Sequence, residues 1–159
     1  MKWRDSHTAA ANARAVLPAL AGKYFQAGRK AADHKRSPRS LHRFRIQTKR
    51  FRYSLELFRP VYGLTLERYL KDLHAIQDAL GKVSDCQTIL EMLEGDATRE
   101  RELERSLKKH AKEFRREWRN FDSEGRLKQW KNYLGRVPSR TAARRVARPA
   151  NRLRAVPAA

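Results

Sequence analysis

The sequence has little of what disulfide-rich, metal-binding or membrane-spanning proteins need. Cys86 is the only cysteine among 159 residues, which excludes a disulfide within the chain and a cysteine-rich metal site. No run of about 18 apolar residues occurs, so no transmembrane helix is expected. The first ten residues lack the apolar segment of a secretory signal. Together these absences predict a chain in the reducing cytoplasm.

Recognisable catalytic arrangements are missing as well. The seven glycines form no phosphate-cradling loop. No nucleophile stands beside a base, and no paired acids or metal ligands form a recognisable cluster. Glu56 follows Arg52 by one helical turn, but a single carboxylate is too little for a metal site that binds phosphate. We therefore predict a binding module with no cofactor and no metal, rather than an enzyme.

Acidic residues are scarce relative to basic ones. Lysine and arginine number 37 and aspartate and glutamate 17, which gives a formal net charge of +20. Such a charge destabilises a compact chain unless an anion shares its surface. The first partners to consider are polyanions: nucleic acid, acidic lipid or a phosphate polymer. A solvated basic surface without a specific partner is the alternative, but the clustering of the charge favours a partner.

The pattern of apolar residues predicts an all-α fold, an antiparallel bundle of about five to six helices with a basic surface groove. The predicted helices cover roughly residues 6–31, 38–62, 65–81, 84–93, 97–121 and 124–134. Ser6 is expected to cap the first helix and Gly81 to end the third. After a domain of residues 1–135, residues 136–159 hold seven arginines, three prolines and no acid, which predicts a disordered basic tail.

The second predicted helix concentrates the positive charge on one line. Successive helical residues are rotated by about 100°, so the apolar residues share one core-facing side: Leu41, Phe44, Thr48, Phe51, Leu55, Phe58 and Tyr62. Beside that side lie His42, Arg45, Lys49 and Arg52, which we call the cationic stripe. The stripe spans about 15 Å, and its charges repel each other unless an extended anion runs alongside.

Other positions on the predicted helices allow structural or functional interpretations. A second apolar line borders the cationic stripe, which indicates a groove or an interface: Ile46, Tyr53 and Leu57. On the next helix Lys71 and His74 share a side with Glu67 and Asp78, so ligand binding and structural ion pairing are equal alternatives there. Core positions are predicted for a last group: His110, Cys86, Trp118 and Trp130.

Two ordered motifs lie on successive predicted helices. The first motif is a histidine followed by basic residues at fixed spacing: His42, Arg45, Lys49, Arg50 and Arg52. The second lies on the following helix: Leu70, Lys71, Leu73, Gln77, Asp78, Leu80, Gly81 and Asp85. Over about residues 40–93 the chain resembles the CHAD family, the conserved histidine α-helical domain, and the resemblance is fairly specific because both motifs agree in order and on successive helices.

The resemblance implies a helical module that binds inorganic polyphosphate, is attached to polyphosphate granules and has a polyphosphate-handling enzyme as partner. The binding residues that it implies are basic: His42, Arg45, Lys49, Arg50, Arg52 and Lys71. Typical members have two helical bundles with the basic channel between them, whereas this chain is long enough for one. A homodimer through Ile46, Tyr53 and Leu57 would supply the second.

Two other functions stay open at this point. The first is nonspecific binding of nucleic acid, although the aromatic residues occupy core-like positions rather than positions suited to stacking on bases. The second is a subunit of an enzyme that acts on polyphosphate or triphosphate, with catalysis elsewhere.

Overall fold

The computed structural model describes residues 4–33, 38–93 and 96–136. These ranges contain six helices and no strand, which confirms the all-α class: α1 Ala9–Ala32, α2 Pro38–Leu57, α3 Arg59–Tyr62, α4 Thr65–Met92, α5 Ala97–Phe121 and α6 Arg126–Gly135. The basic tail predicted for residues 136–159 lies, except for Arg136, outside the described residues.

Local chemistry sets the ends of the first helices. The Thr8 side chain accepts a hydrogen bond from the Ala11 amide at 3.2 Å, so Thr8 caps α1 and the prediction of Ser6 was wrong. α2 begins at Pro38, as predicted. It ends at Leu57 rather than near Tyr62 because Pro60 has no amide hydrogen to donate to the Glu56 carbonyl, and the short α3, which has Pro60 in its first turn, begins at Arg59.

The predicted break at Gly81 was also wrong, since α4 is continuous from Thr65 to Met92. A glycine inside a helix costs only about 1 kcal/mol relative to alanine. Leu80 and Val83, on either side of it, are almost fully buried, and their burial stabilises the helix by more than that. The third and fourth predicted helices are therefore one element, which is long enough to run beside the whole of α2.

An aromatic cluster fills the centre of the bundle. Tyr24 of α1 stacks on Phe51 and Phe44 of α2 at centroid distances of 4.7 and 5.2 Å. Trp118 of α5 meets the edge of Phe44 at 5.3 Å, and Trp130 of α6 is completely buried. The core positions predicted for the two tryptophans are thereby confirmed.

Two small residues, Gly28 and Cys86, also lie in closely packed or buried positions. The Trp118 ring packs directly against Gly28. A side chain at this position would clash, because its Cβ atom would lie 2.0 Å from a ring carbon. Cys86 is buried as predicted, and burial raises the pKa of its thiol.

The packing order gives α2 a neighbour on each flank. α4 packs between α2 and α5, while α1 packs against α2 and α6. The basic helix α2 therefore has one seam with α4 and a second one with α1. Within the described ranges, no helix combines the length and the apolar character that a membrane span requires.

Candidate polyanion-binding site

The cationic stripe faces α4. His42 Nδ1 lies 3.2 Å from Ser84 Oγ, and Arg52 Nη1 lies 3.1 Å from His74 Nε2. These two contacts are ten residues apart on both helices, so α2 and α4 are antiparallel. We call this surface the α2–α4 seam, and its residues are the cationic stripe with His74, Gln77, Gly81 and Ser84.

The register of the seam places small and polar groups opposite the cations. Counting from the two contacts, Arg45 lies level with Gly81 and Lys49 lies level with Gln77. A Cβ atom added at Gly81 would meet no heavy atom within 4 Å, so the surface is open beside Arg45. An extended anion could approach the middle of the stripe there.

Two hydrogen-bond donors of the stripe are buried with no acceptor in the part of the chain that the structure describes. The side chains of Arg45, Lys49 and Arg52 are partly buried. The Nε atoms of Arg45 and Arg52 are buried and have no hydrogen-bond partner among the described residues. Since buried polar groups are normally paired, both Nε–H groups call for an acceptor, and a phosphate oxygen is a strong one.

Arg52 is the best-held member of the stripe. Besides His74 it contacts Glu56 at 3.6 Å, and its guanidinium carbon lies 4.8 Å from the centre of the Tyr53 ring. Its side chain is only 14% exposed. Glu56 neutralises part of the charge at this end, so the positive charge of the seam is concentrated from Lys49 towards His42.

A cleft of about 560 Å³ continues the seam beyond His42. It is lined by residues of both helices: Arg39, His42, Arg43, Ser84, Gln87, Thr88 and Glu91. Arg39 is not among the predicted site residues, although it precedes His42 by three residues and so extends the same helical periodicity. Gln87 is not among them either. Its buried Oε1 has no hydrogen-bond partner among the described residues, and no pattern in the sequence indicates that position.

The structure separates the two remaining predicted site residues from the stripe. Arg50 is exposed on the opposite flank of α2, where it lines a groove with α1. Lys71 is exposed on α4 one turn before His74, near the Arg52 end of the seam. Glu67, one of the acids expected to balance Lys71, instead accepts a hydrogen bond from Arg59 Nε at 2.6 Å.

A histidine–glutamate pair lies on α5. His110 is only partly buried rather than a core residue, and its Nδ1 lies 3.0 Å from Glu113 Oε2, a hydrogen bond that lowers the pKa of Glu113. No group of three or more histidine, cysteine or acidic residues in the described ranges could hold a metal ion.

A family model for the CHAD domain matches residues 1–94, more than half of the chain. The chain belongs to the CHAD family. No curated protein and no solved structure matches the chain. The family match includes α1 to α4, and with them the whole α2–α4 seam, whereas α5 and α6 of this CHAD chain follow it. CHAD domains are associated with polyphosphate-related proteins.

Proposed function

We propose that this CHAD chain binds inorganic polyphosphate along the α2–α4 seam. Four cationic or titratable side chains lie on one flank of α2, and two buried guanidinium Nε–H groups among them have no acceptor in the described residues. That observation carries the proposal. A linear phosphate chain supplies acceptor oxygens and negative charge along its whole length.

Each side chain of the stripe has a distinct role in this proposal. Arg45 and Arg52 donate forked hydrogen bonds to phosphate oxygens, and Lys49 contributes a point charge between them. His42 donates one hydrogen bond to a phosphate oxygen. Lys71 meets the phosphate chain where it leaves the seam past His74. A single phosphate chain along the seam does not reach Arg50. Its predicted role in binding requires a second phosphate chain, or a second segment of the same one, on the α1 flank of α2.

The positions of the aromatic side chains favour polyphosphate over nucleic acid as the ligand. Recognition of single strands commonly uses exposed aromatic rings on which bases stack. Trp118 and Trp130 are buried in the bundle, and one face of the exposed Tyr53 is covered by Arg52. Binding therefore depends on phosphate charge, without readout of base or sugar.

A dimer and a cellular location extend the proposal. Ile46, Tyr53 and Leu57 border the stripe and are 38, 53 and 70% exposed. A second copy docked on this apolar line would place two stripes side by side and so complete a channel. We propose further that the module attaches to polyphosphate granules in the cytoplasm and brings a polyphosphate-handling enzyme there. A monomeric mass by light scattering, with polyphosphate affinity intact, would rule out the dimer.

Competition between polyanions tests the function. The chain is titrated with long-chain polyphosphate and with single-stranded and duplex DNA at physiological salt, with each competitor expressed per phosphate. We expect polyphosphate to displace labelled DNA at a lower phosphate concentration than DNA displaces labelled polyphosphate. A preference for DNA would refute polyphosphate as the ligand and establish the nucleic-acid alternative.

A further inference from the structure

A second basic groove lies on the other flank of α2, where α1 packs against it. Two adjoining cavities of about 220 and 350 Å³ form this α1–α2 groove and share Ala27 and Gln47. One row of residues from each helix lines it: Leu20, Lys23, Ala27 and Lys30 of α1, and Arg43, Gln47, Arg50 and Ser54 of α2. Both rows follow helical spacing, so the groove runs along the two helices.

Like charges face each other across this groove. Lys23 and Arg50 line one cavity, and Lys30 and Arg43 line the other. None of these four side chains has an ion-pair partner among the described residues. α1 contains no acid, and the only acid of α2, Glu56, lies on the opposite flank beside Arg52. The four cations repel one another until an anion lies between them.

The floor of the groove is apolar, unlike the α2–α4 seam. Leu20, Tyr24, Ala27 and Phe51 line the first cavity, and Phe44 reaches the second. A bare phosphate chain gains nothing from apolar contact, whereas a ligand with both acidic groups and apolar side chains gains from the floor and from the rims. The groove extends from Leu20 to Ala31, about 16 Å along α1, which is the length of three helical turns.

We propose that the α1–α2 groove binds an acidic amphipathic helix of a partner protein. Lys23 and Lys30 are seven residues apart, as are Arg43 and Arg50, so the two cation pairs are separated by about 10 Å. Carboxylates two turns apart on the partner helix reach one pair each. Apolar side chains between them pack on the floor around Ala27, in the manner of helix-in-groove recognition. One flank of α2 then holds a protein while the other stays free for an anionic polymer.

A designed peptide provides the probe for this site. It is a labelled, Ala-based helix of four turns with glutamates at positions i and i+7 and leucines at i+3 and i+4. One matched peptide replaces both glutamates with glutamine, and another replaces both leucines with serine. Binding to the full chain is measured by fluorescence anisotropy at physiological salt. We expect each matched peptide to bind at least tenfold more weakly than the parent peptide.

Paired variants of the chain locate the binding. The groove variant carries Lys23→Gln and Lys30→Gln, and the control carries Arg101→Gln and Arg105→Gln on the exposed surface of α5; all four positions are exposed, so both variants should fold. We expect the groove variant to bind the parent peptide at least tenfold more weakly and the control to stay within twofold of wild type. Equal losses in the two variants, or unchanged binding of the serine peptide, would overturn the proposal.

The polyphosphate affinity of the groove variant distinguishes this proposal from the function proposed above. If the groove is a protein site, the groove variant keeps the wild-type affinity for polyphosphate within about threefold. A loss of polyphosphate affinity in the groove variant that equals its loss of peptide affinity would mean that the groove is a second phosphate site, and the proposed helix partner would be rejected.

Discussion

Gly81 allows a direct test of the path that phosphate takes through the α2–α4 seam. A Cβ atom at this position meets no heavy atom within 4 Å, so a side chain can be added without a clash. Gly81→Ala should stabilise α4 by about 0.5–1 kcal/mol, because alanine is the better helix former. Gly81→Glu places a carboxylate level with Arg45, where it competes with phosphate for the guanidinium and repels the phosphate chain.

The size of the effect on binding follows from Coulomb's law. Two unit charges about 6 Å apart repel by about 0.7 kcal/mol in water and about 3 kcal/mol at the effective dielectric constant of a protein surface. We therefore expect Gly81→Glu to weaken polyphosphate binding by about tenfold, as measured by titration calorimetry. Gly81→Ala should leave the affinity within about twofold and raise the melting temperature.

Ala75→Glu is the matched control for this substitution. Ala75 is exposed on the same helix, one third of a turn around the axis from Gly81, and the change in charge is identical. If the seam is the path, the control should weaken binding much less than Gly81→Glu does. Equal losses at both positions would mean that polyphosphate responds to net charge alone, and the reasoning about the seam would be refuted.

Three further predictions concern packing, polyphosphate binding and pH. Gly28→Ala should destabilise the fold by about 2–3 kcal/mol in urea unfolding, because the new Cβ would lie 2.0 Å from the Trp118 ring; an unchanged midpoint would contradict the contact. His42→Ala should weaken polyphosphate binding by about tenfold at constant pH, because it removes one hydrogen-bond donor of the stripe; an unchanged affinity would exclude the histidine. Burial raises the pKa of Tyr62 to about 12, whereas an unfolded tyrosine titrates near 10. Its stabilising contribution is therefore complete below about pH 10 and is lost as the pH rises through 12; a melting temperature that stays constant up to pH 11.5 would contradict this.

The periodicity of the sequence was sufficient to predict which side of α2 faces the core. Leu41, Phe44, Thr48, Phe51 and Leu55 were all assigned to that side, and all are buried. This assignment requires only the helical repeat, because burial on one side is a local property of an amphipathic helix. The alignment of the four cations beside that side follows from the same repeat.

The neighbours of the stripe could not be predicted in the same way. Whether α1 or α4 covers a given flank of α2 depends on long-range packing, so neither the Ser84 contact of His42 nor the His74 contact of Arg52 was foreseen. Arg50 belongs to the family motif by spacing, yet it faces α1. Local propensity predicts a helix end at Gly81, but the burial of Leu80 and Val83 outweighs that propensity.

The central claim is that the cationic stripe, and not the net charge, binds polyphosphate. The most direct measurement compares two triple variants that lose the same charge: Arg45→Ala, Lys49→Ala and Arg52→Ala on α2, against Arg101→Ala, Arg105→Ala and Lys108→Ala on the exposed surface of α5. With about 1 kcal/mol or more for each charge-assisted contact, the stripe variant should bind polyphosphate at least a hundredfold more weakly than wild type. The α5 variant should lose less than about fivefold. Equal losses in two folded variants would contradict the claim.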